Sequence, residues 1–546
     1  MSNALNRRLG LSQLLFVSVG AIIGSAWLFA PLFAAQAAGP AAILSWVISA
    51  GAALLLALVY AELGAAFPVA GGLARFSYFS HGNLAGFLAG LACWLGYVAV
   101  APIEVQAMVR YLSDEIPWLV ADAATRTLSP AGIGVCGGLL LAMSAINLLG
   151  VQWLGESNKI ITIWKIIVPV LIPISLLTVS FRSANFTGFG GLLPAGWGGV
   201  FTAVSTSGTL FAMLGFRAAI EMAGEAKNPQ RDIPLALIGS VLITGTIYIL
   251  IQIAFLGALK PSDLAHGWAG LSSHVQTGPF VGLAAAAGLV WLVRLILIDS
   301  VVSPGGCGLV FCGASARLSY AMARNRQLPP IFALLNGRGV PAFAIGVNFL
   351  VGLVFFAPSQ TWQSIVSFIS SIQILSLAFG PPALMALRRS APDVPRPFRL
   401  PAHRLFCVAA FFAANTIIYW CGWQTNRVCL GLLAALAVVF ILVKKIRAPH
   451  ESLDLAGMLW LVPYGLGLAA ISALGQFGGG SKLIPTGIDT ALLAALSVGI
   501  LAASTFGPKA RLPEELAHSA THLDSTDDGS RSGAETAAGK APPHHR

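Results

Sequence analysis

The sequence predicts an all-α integral membrane protein of about fourteen transmembrane helices, and three observations carry that expectation. Only 10% of the 546 residues are charged while 56% are hydrophobic, whereas soluble domains carry about 25% charged residues. Mean hydropathy is +0.80. Apolar runs of about 20 residues, each long enough to cross ~30 Å of hydrocarbon, recur along most of the chain. Lysine and arginine concentrate in alternate connecting segments, the asymmetry that orients spans in a bilayer.

The spans are expected at 12–36, 41–67, 84–112, 130–150, 158–181, 198–224 and 235–259, then at 279–304, 341–357, 361–387, 405–423, 428–443, 455–475 and 485–506. Residues 1–11 form a short basic start, and the first span has no small-residue cleavage pattern, so it reads as a retained helix. With that start inside, cytoplasmic segments hold Arg7, Arg8, Arg75, Lys227, Arg231, Arg317, Arg324, Arg326 and Arg338. Arg388, Arg389, Arg396, Arg399, Arg404, Lys444, Lys445 and Arg447 follow on the same side. The opposite side keeps scattered charges such as Arg126, Arg182, Lys260, Arg427 and Lys482. Both termini are therefore expected in the cytoplasm, with the chain multi-pass in the plasma (cell inner) membrane. The net charge of +11 resides mostly between spans, which argues against a nucleic-acid partner. Residues 507–546 are polar and rich in small residues and are expected to form a disordered cytoplasmic tail. The terminal His544-His545 pair reads as part of that solvated tail. The seven cysteines include no CxxC pair and read as small core or lipid-facing residues.

The sixth span carries the most informative residues. Arg217 and Glu221 stand about 12 Å and 6 Å from its expected cytoplasmic end. A charge at the bilayer centre costs at least ~2.5–3.5 kcal/mol, so such a residue faces a cavity, a partner or a substrate path. Gly215, just before Arg217, offers a point for the helix to unwind. The first span holds a similar feature in Gly20-Ala21-Ile22-Ile23-Gly24-Ser25-Ala26, with Gly24 about 18 Å into the helix. A break there would aim backbone N–H groups and a helix N-terminus at a carboxylate, although close helix packing also favours glycine. The two interrupted spans are five apart. Two five-span units so related insert in opposite directions, the inverted-repeat arrangement of secondary transporters.

Five motifs together resemble the amino acid–polyamine–organocation permeases. They are Gly20-x-Ile22-Ile23-Gly24-Ser25, Phe211-x-x-x-Gly215-Phe216, Glu225-x-Lys227-Asn228-Pro229-x-Arg231, Ser303-Pro304-x-Gly306, and Arg317-x-x-Tyr320-Ala321-Met322-Ala323-Arg324-x-x-x-Leu328-Pro329. They cover roughly the first 390 residues in the family's order. The resemblance implies a LeuT-type core of two inverted five-helix repeats over 12–388, with additional C-terminal helices over 389–506. It also implies a substrate site at Ile23, Gly24, Ser25, Ala26, Phe211 and Gly215. There the broken first helix holds the substrate carboxylate, and carbonyls near the sixth-span break take the ammonium.

Two departures from the family pattern bear on substrate. Many relatives read Gly-Ser-Gly where this chain has Gly24-Ser25-Ala26, so a methyl group would either narrow the site or stiffen the unwound turn. Many have an uncharged or acidic residue where this chain has Arg217. A guanidinium is always charged and fits a carboxylate bidentately. Facing the pocket, it would favour aspartate or glutamate, as in the aspartate–proton symporter branch that the chain resembles. Paired with Glu221 one turn on, it would only neutralise that residue. By resemblance Lys165, in the fifth span, matches a lysine whose ammonium takes a sodium-like position in proton-coupled or ion-independent relatives, unless it snorkels to an interface. Asp299 and Glu104 are further protonatable candidates, as is Glu221. Arg294 and Asp299 are five apart and poorly placed to pair on one helix face.

No Walker A loop, HExxH metal motif or nucleophile–base pair is present in the sequence, so no enzyme, cofactor or metal is expected. The leading expectation is proton-coupled uptake of an acidic amino acid by alternating access, with protons rather than sodium as the coupling ion. An exchanger for neutral or cationic amino acids and a transporter-like sensor are the alternatives.

Overall fold

Helix dominates the computed structural model, which describes residues 9–69, 71–122, 127–149, 151–271, 278–357, 361–447 and 455–506. The helices are α1 (Leu11–Ile22), α2 (Ala26–Ala38), α3 (Ala42–Ala66), α4 (Gly72–His81), α5 (Asn83–Leu112), α6 (Pro130–Leu148), α7 (Val151–Ser180), α8 (Gly196–Thr206), α9 (Thr209–Met213), α10 (Ala218–Glu221) and α11 (Pro229–Ala258). They continue with α12 (Pro279–Ala286), α13 (Val290–Arg324), α14 (Ala342–Leu353), α15 (Trp362–Leu377), α16 (Gly380–Ser390), α17 (His403–Trp420), α18 (Trp423–Arg447), α19 (Leu461–Leu474) and α20 (Ile488–Thr505). Every one of the expected spans contains helix. Among the described residues, nine helices are long and apolar enough to cross a membrane, and the bent pair α8 with α9–α10 brings the number to as many as ten. Shorter apolar helices occupy Leu11–Ile22, Ala342–Phe356 and Leu461–Leu474. The described strands are the short antiparallel pair Val120–Asp122 and Thr127–Leu128.

Three boundaries differ from the expected ones for identifiable reasons. The eighth span does not end near residue 304: α13 runs on to Arg324, because Gly313 to Arg324 is rich in Ala, Ser, Leu and Met and contains no proline. Its expected start is a separate helix, α12, cut off by Gly288 at φ +75°. Between the second and third spans lies α4, bounded by Gly71 and Gly82, both at positive φ.

Packing gathers these helices around the first span. α1 lies against α7, α11, α13 and the turn Leu214–Arg217, while α5 packs on α13 and α15, and α3 on α11. Trp46 of α3 stacks on Tyr248 of α11 with ring centroids 4.7 Å apart. Glu62, near the end of α3, accepts from Arg388 of α16 and from the Leu400 backbone N–H at 2.8 Å, with Arg396 Nε at 3.6 Å. Removing one partner of so buried a pair costs about 3–5 kcal/mol, so the cluster ties α3 firmly to the segment after α16. At the N-terminal end, Leu9 pairs through its backbone with Glu225 and Lys227, joining the start of the chain to the Glu225-x-Lys227 motif. The expected tail, 507–546, lies outside the described residues.

Candidate functional site

The first break falls where the glycine motif places it. α1 ends at Ile22, Ile23 is extended at φ −82°, ψ 97°, and α2 begins at Ala26. A helix C-terminus leaves carbonyls without intrahelical partners, and three surrounding helices cap them here. Lys165 Nζ of α7 donates to Gly20 O at 2.5 Å, Cys307 Sγ of α13 donates to Ala21 O at 3.3 Å, and Tyr248 OH of α11 donates to Ile22 O at 3.0 Å. Across the break, the Ser25 N–H donates to Glu104 Oε2 of α5 at 2.6 Å. A helix N-terminus favours an anion, and the anion seated on this one is the chain's own carboxylate. The fit requires glycine: a Cβ at Gly24 would lie 2.6 Å from Glu104 Oε1 and 2.9 Å from Cys307 Sγ.

The second break departs from expectation. The sixth span bends by 48° between α8 and α9, at Gly208, whose φ of +90° suits glycine. Gly215 is not the hinge. It lies in the 3₁₀ turn Leu214–Arg217, where its bare Cα lets the two broken spans touch. A Cβ there would come within 2.5 Å of Ala21 C and Ile22 N, both backbone atoms. Ser18 Oγ donates to Phe216 O at 3.0 Å across the same seam. Phe211 meets Trp362 edge-on at 6.5 Å, and Phe29 and Phe33 each lie 5.5 Å from the same indole. Trp362 Nε1 also reaches Ser25 Oγ at 3.4 Å.

Arg217 ends the turn Leu214–Arg217 and is fully buried. Its Cζ sits 4.5 Å above the centre of the Tyr97 ring, an attraction of about 0.5–2 kcal/mol. None of Nε, Nη1 and Nη2 has a hydrogen-bond partner among the described residues. Glu221, also buried, accepts from Tyr97 OH at 3.4 Å through Oε1, and its Oε2 has no partner. The neutralising Arg217–Glu221 ion pair, one of the two sequence readings, is therefore not formed in this state. Five donors of a buried guanidinium are left for something else to satisfy.

Lys165 does not snorkel: it is buried at 1% exposure, its ammonium on the broken helix. Gly306 of the Ser303-Pro304-x-Gly306 motif makes room for it, since a Cβ there would stand 3.3 Å from Nζ. Asp299, on the same helix as Gly306, accepts from Trp164 Nε1 and Ser303 Oγ at 2.7 Å each, and Oδ2 is without a partner. Among the described residues no hydrogen bond or ion pair joins Arg294 to it. Lys165 thus lies within the electrostatic reach of two acids, Glu104 and Asp299. The structure gathers Ile23, Gly24, Ser25, Ala26, Gly215, Lys165 and Glu104 at the first break. Arg217, Glu221 and Tyr97 form a second cluster one turn beyond Gly215, and Asp299 stands apart with Trp164.

Sequence reasoning did not single out Tyr97, Tyr248 or Cys307. Cys307 could have been found from its position directly after Gly306. Tyr97 and Tyr248 are one tyrosine each in long apolar helices, with no local signal to mark them.

Comparison with known proteins identifies the family. The family model described as amino acid permease matches residues 9–421. The glutamate/serine transporter AimA of Bacillus subtilis is 39% identical over 504 residues, covering 91% of this chain and 93% of that protein. The aspartate-proton symporter of the same organism is 35% identical over 500 residues, covering 90% and 95%. The branched-chain amino acid permease BcaP, also from B. subtilis, is 28% identical over 464 residues. The chain belongs to the amino acid permease family of the amino acid–polyamine–organocation superfamily, and is a multi-pass membrane transporter of amino acids rather than an enzyme.

Proposed function

We propose that this permease takes up an acidic amino acid, such as aspartate or glutamate, together with protons, by alternating access. The observation that carries the reading is Arg217: a fully buried guanidinium at the end of the turn Leu214–Arg217, stacked on Tyr97 and without a hydrogen-bond partner. A bidentate carboxylate is the group its donors suit best. One relative named for glutamate and serine, at 39% identity, and one named for aspartate and protons, at 35%, are in keeping with that class.

The substrate's α-carboxylate takes the Ser25 N–H, and Glu104 must leave that amide when it does. A proton on Glu104 removes the competing charge, which ties proton binding to substrate binding. The Lys165 ammonium holds the end of α1 in place of a sodium ion, and losing its proton loosens that contact. Asp299, with its unpartnered oxygen, relays protons toward Lys165. Coupling is energetically useful, because carrying one negative charge inward opposes an inside-negative potential by ~2.3 kcal/mol per 100 mV. The transport core spans 12–388 as two inverted repeats, 389–506 adds peripheral helices, and both termini face the cytoplasm of the cell membrane.

Ligand-induced thermal stabilisation of the purified protein tests the substrate class. Aspartate and glutamate should raise the melting temperature, and lysine and arginine should not. Stabilisation by lysine or arginine alone would favour the cationic exchanger.

A further inference from the structure

Arg217 and Glu221 end two consecutive short elements, the turn Leu214–Arg217 and α10, and both side chains are buried. The guanidinium has no hydrogen-bond partner, Glu221 Oε2 has none, and the two groups do not pair. Tyr97 holds both: its ring carries the guanidinium and its hydroxyl reaches Glu221 Oε1. Residues four apart on a helical stretch lie within side-chain reach, so a swing of the guanidinium across the ring brings it onto the carboxylate. Arg217 therefore has two possible acceptors, one fixed in the chain and one brought by a substrate. A closed, dry site tolerates neither charge alone.

Resting on the reading of Arg217 as the residue that selects acidic substrates, we infer that Glu221 is its exchangeable counter-ion. A substrate bearing a side-chain carboxylate displaces Glu221 and leaves it to take a proton. A neutral amino acid leaves Arg217 paired with Glu221 and moves one proton fewer. The permease thus carries both substrate classes through one pocket, with a proton number set by the substrate's own charge.

The charges balance in each case. With an acidic substrate, the substrate carboxylate faces Arg217, and a proton from water on the loading side forms an O–H bond at Glu221 Oε2. That proton leaves when the site opens to the other side. With a neutral substrate, Glu221 stays ionised against Arg217 and no proton is taken there. The sealed cluster has the same net charge both times.

The surroundings leave this exchange to Glu221. Arg217, Arg317 of α13 and Tyr97 are charged and titratable groups acting on it, and Tyr60 and Cys93 are further titratable groups near the pair. Of the other elements packed on α10, α1 carries no titratable side chain. α4 carries Arg75, Tyr78 and His81, α11 opens with Arg231 and Asp232, and the turn after α10 holds Glu225.

The test measures proton-to-substrate stoichiometry for the full-length protein in liposomes, from reversal potentials with aspartate and with serine as probes. Wild type should move one more proton with aspartate than with serine. Glu221→Gln should reduce that difference to zero and cut serine uptake at least tenfold, because Arg217 then has no counter-ion. Arg217→Ala with Glu221→Gln should restore serine uptake while aspartate remains poor. Equal proton numbers for the two probes in wild type, or a Glu221→Gln variant that loses both substrates in equal proportion, would overturn the inference. If Arg217→Ala alone lowers aspartate and serine equally, the acidic-substrate reading itself fails. If it lowers aspartate selectively while wild-type stoichiometries are equal, that reading stands and the counter-ion exchange falls. Size-exclusion profiles of each variant separate loss of function from loss of fold.

Discussion

Replacing Arg217 by alanine should weaken an acidic amino acid far more than a neutral one. The side chain is fully buried and makes no hydrogen bond, so its removal breaks none, and Glu221, left without a counter-ion, stays protonated. What the fold loses is the contact with Tyr97, about 0.5–2 kcal/mol, and the relief of an unpaired buried charge offsets that loss. Stability should change little. Binding of aspartate should lose a charge-assisted, bidentate contact of ~1.5–3 kcal/mol, or about 10- to 150-fold in Kd. Thermal-shift titration reads this directly. At a ligand concentration of 100 Kd the folded state gains ~2.7 kcal/mol, and a Kd about thirtyfold weaker leaves only ~0.9 kcal/mol at the same concentration. Arg217→Lys should recover part of the loss, since a point charge cannot reproduce the planar fork. Equal losses for aspartate and alanine in a well-folded Arg217→Ala protein would refute the specificity argument.

Other consequences are as direct. Lys165→Ala removes the ammonium that caps Gly20 O and should abolish pH-driven accumulation while counterflow exchange persists; accumulation with the wild-type dependence on the pH gradient would exclude Lys165 from coupling. Gly215→Ala drives a methyl into the Ala21–Ile22 peptide at 2.5 Å, an overpacking of ~1–3 kcal/mol or more, and should lower both melting temperature and transport. Unchanged values of both would show that the two broken spans do not meet at Gly215. For orientation, Gly337 is exposed with open space around it, and all seven native cysteines are buried. Gly337→Cys should resist an impermeant thiol reagent in intact cells and react after permeabilisation, and ready labelling from outside would reverse the assignment.

Much of this was legible in the sequence because membranes impose simple rules. Runs of about 20 apolar residues located the helices, and Gly24 marked the first break because Glu104 and Cys307 approach the chain there too closely for a Cβ. Hydropathy could not show that α13 continues to Arg324, since its last turns are amphipathic. Nor could it rank Gly208 against Gly215: both are glycines in one apolar span, and only the backbone, with φ +90° at Gly208, separates a hinge from a close approach. The two contacts that most shape the site join residues distant in the chain. Glu104 reaches Ser25 across 79 positions, and Tyr97 lies beneath Arg217 from another helix altogether. No local pattern encodes such pairings. The sequence therefore identified the charged residues but left open what each one faces.

The central claim is that an acidic amino acid and protons move together through this permease. Uptake of radiolabelled aspartate into liposomes containing the purified protein, with and without an inward proton gradient, tests it most directly. Accumulation above equilibrium that requires the gradient, is abolished by a protonophore and is competed by glutamate but not by lysine is the expected result. Aspartate that does not enter, or that enters to the same level whatever the gradient, would contradict it.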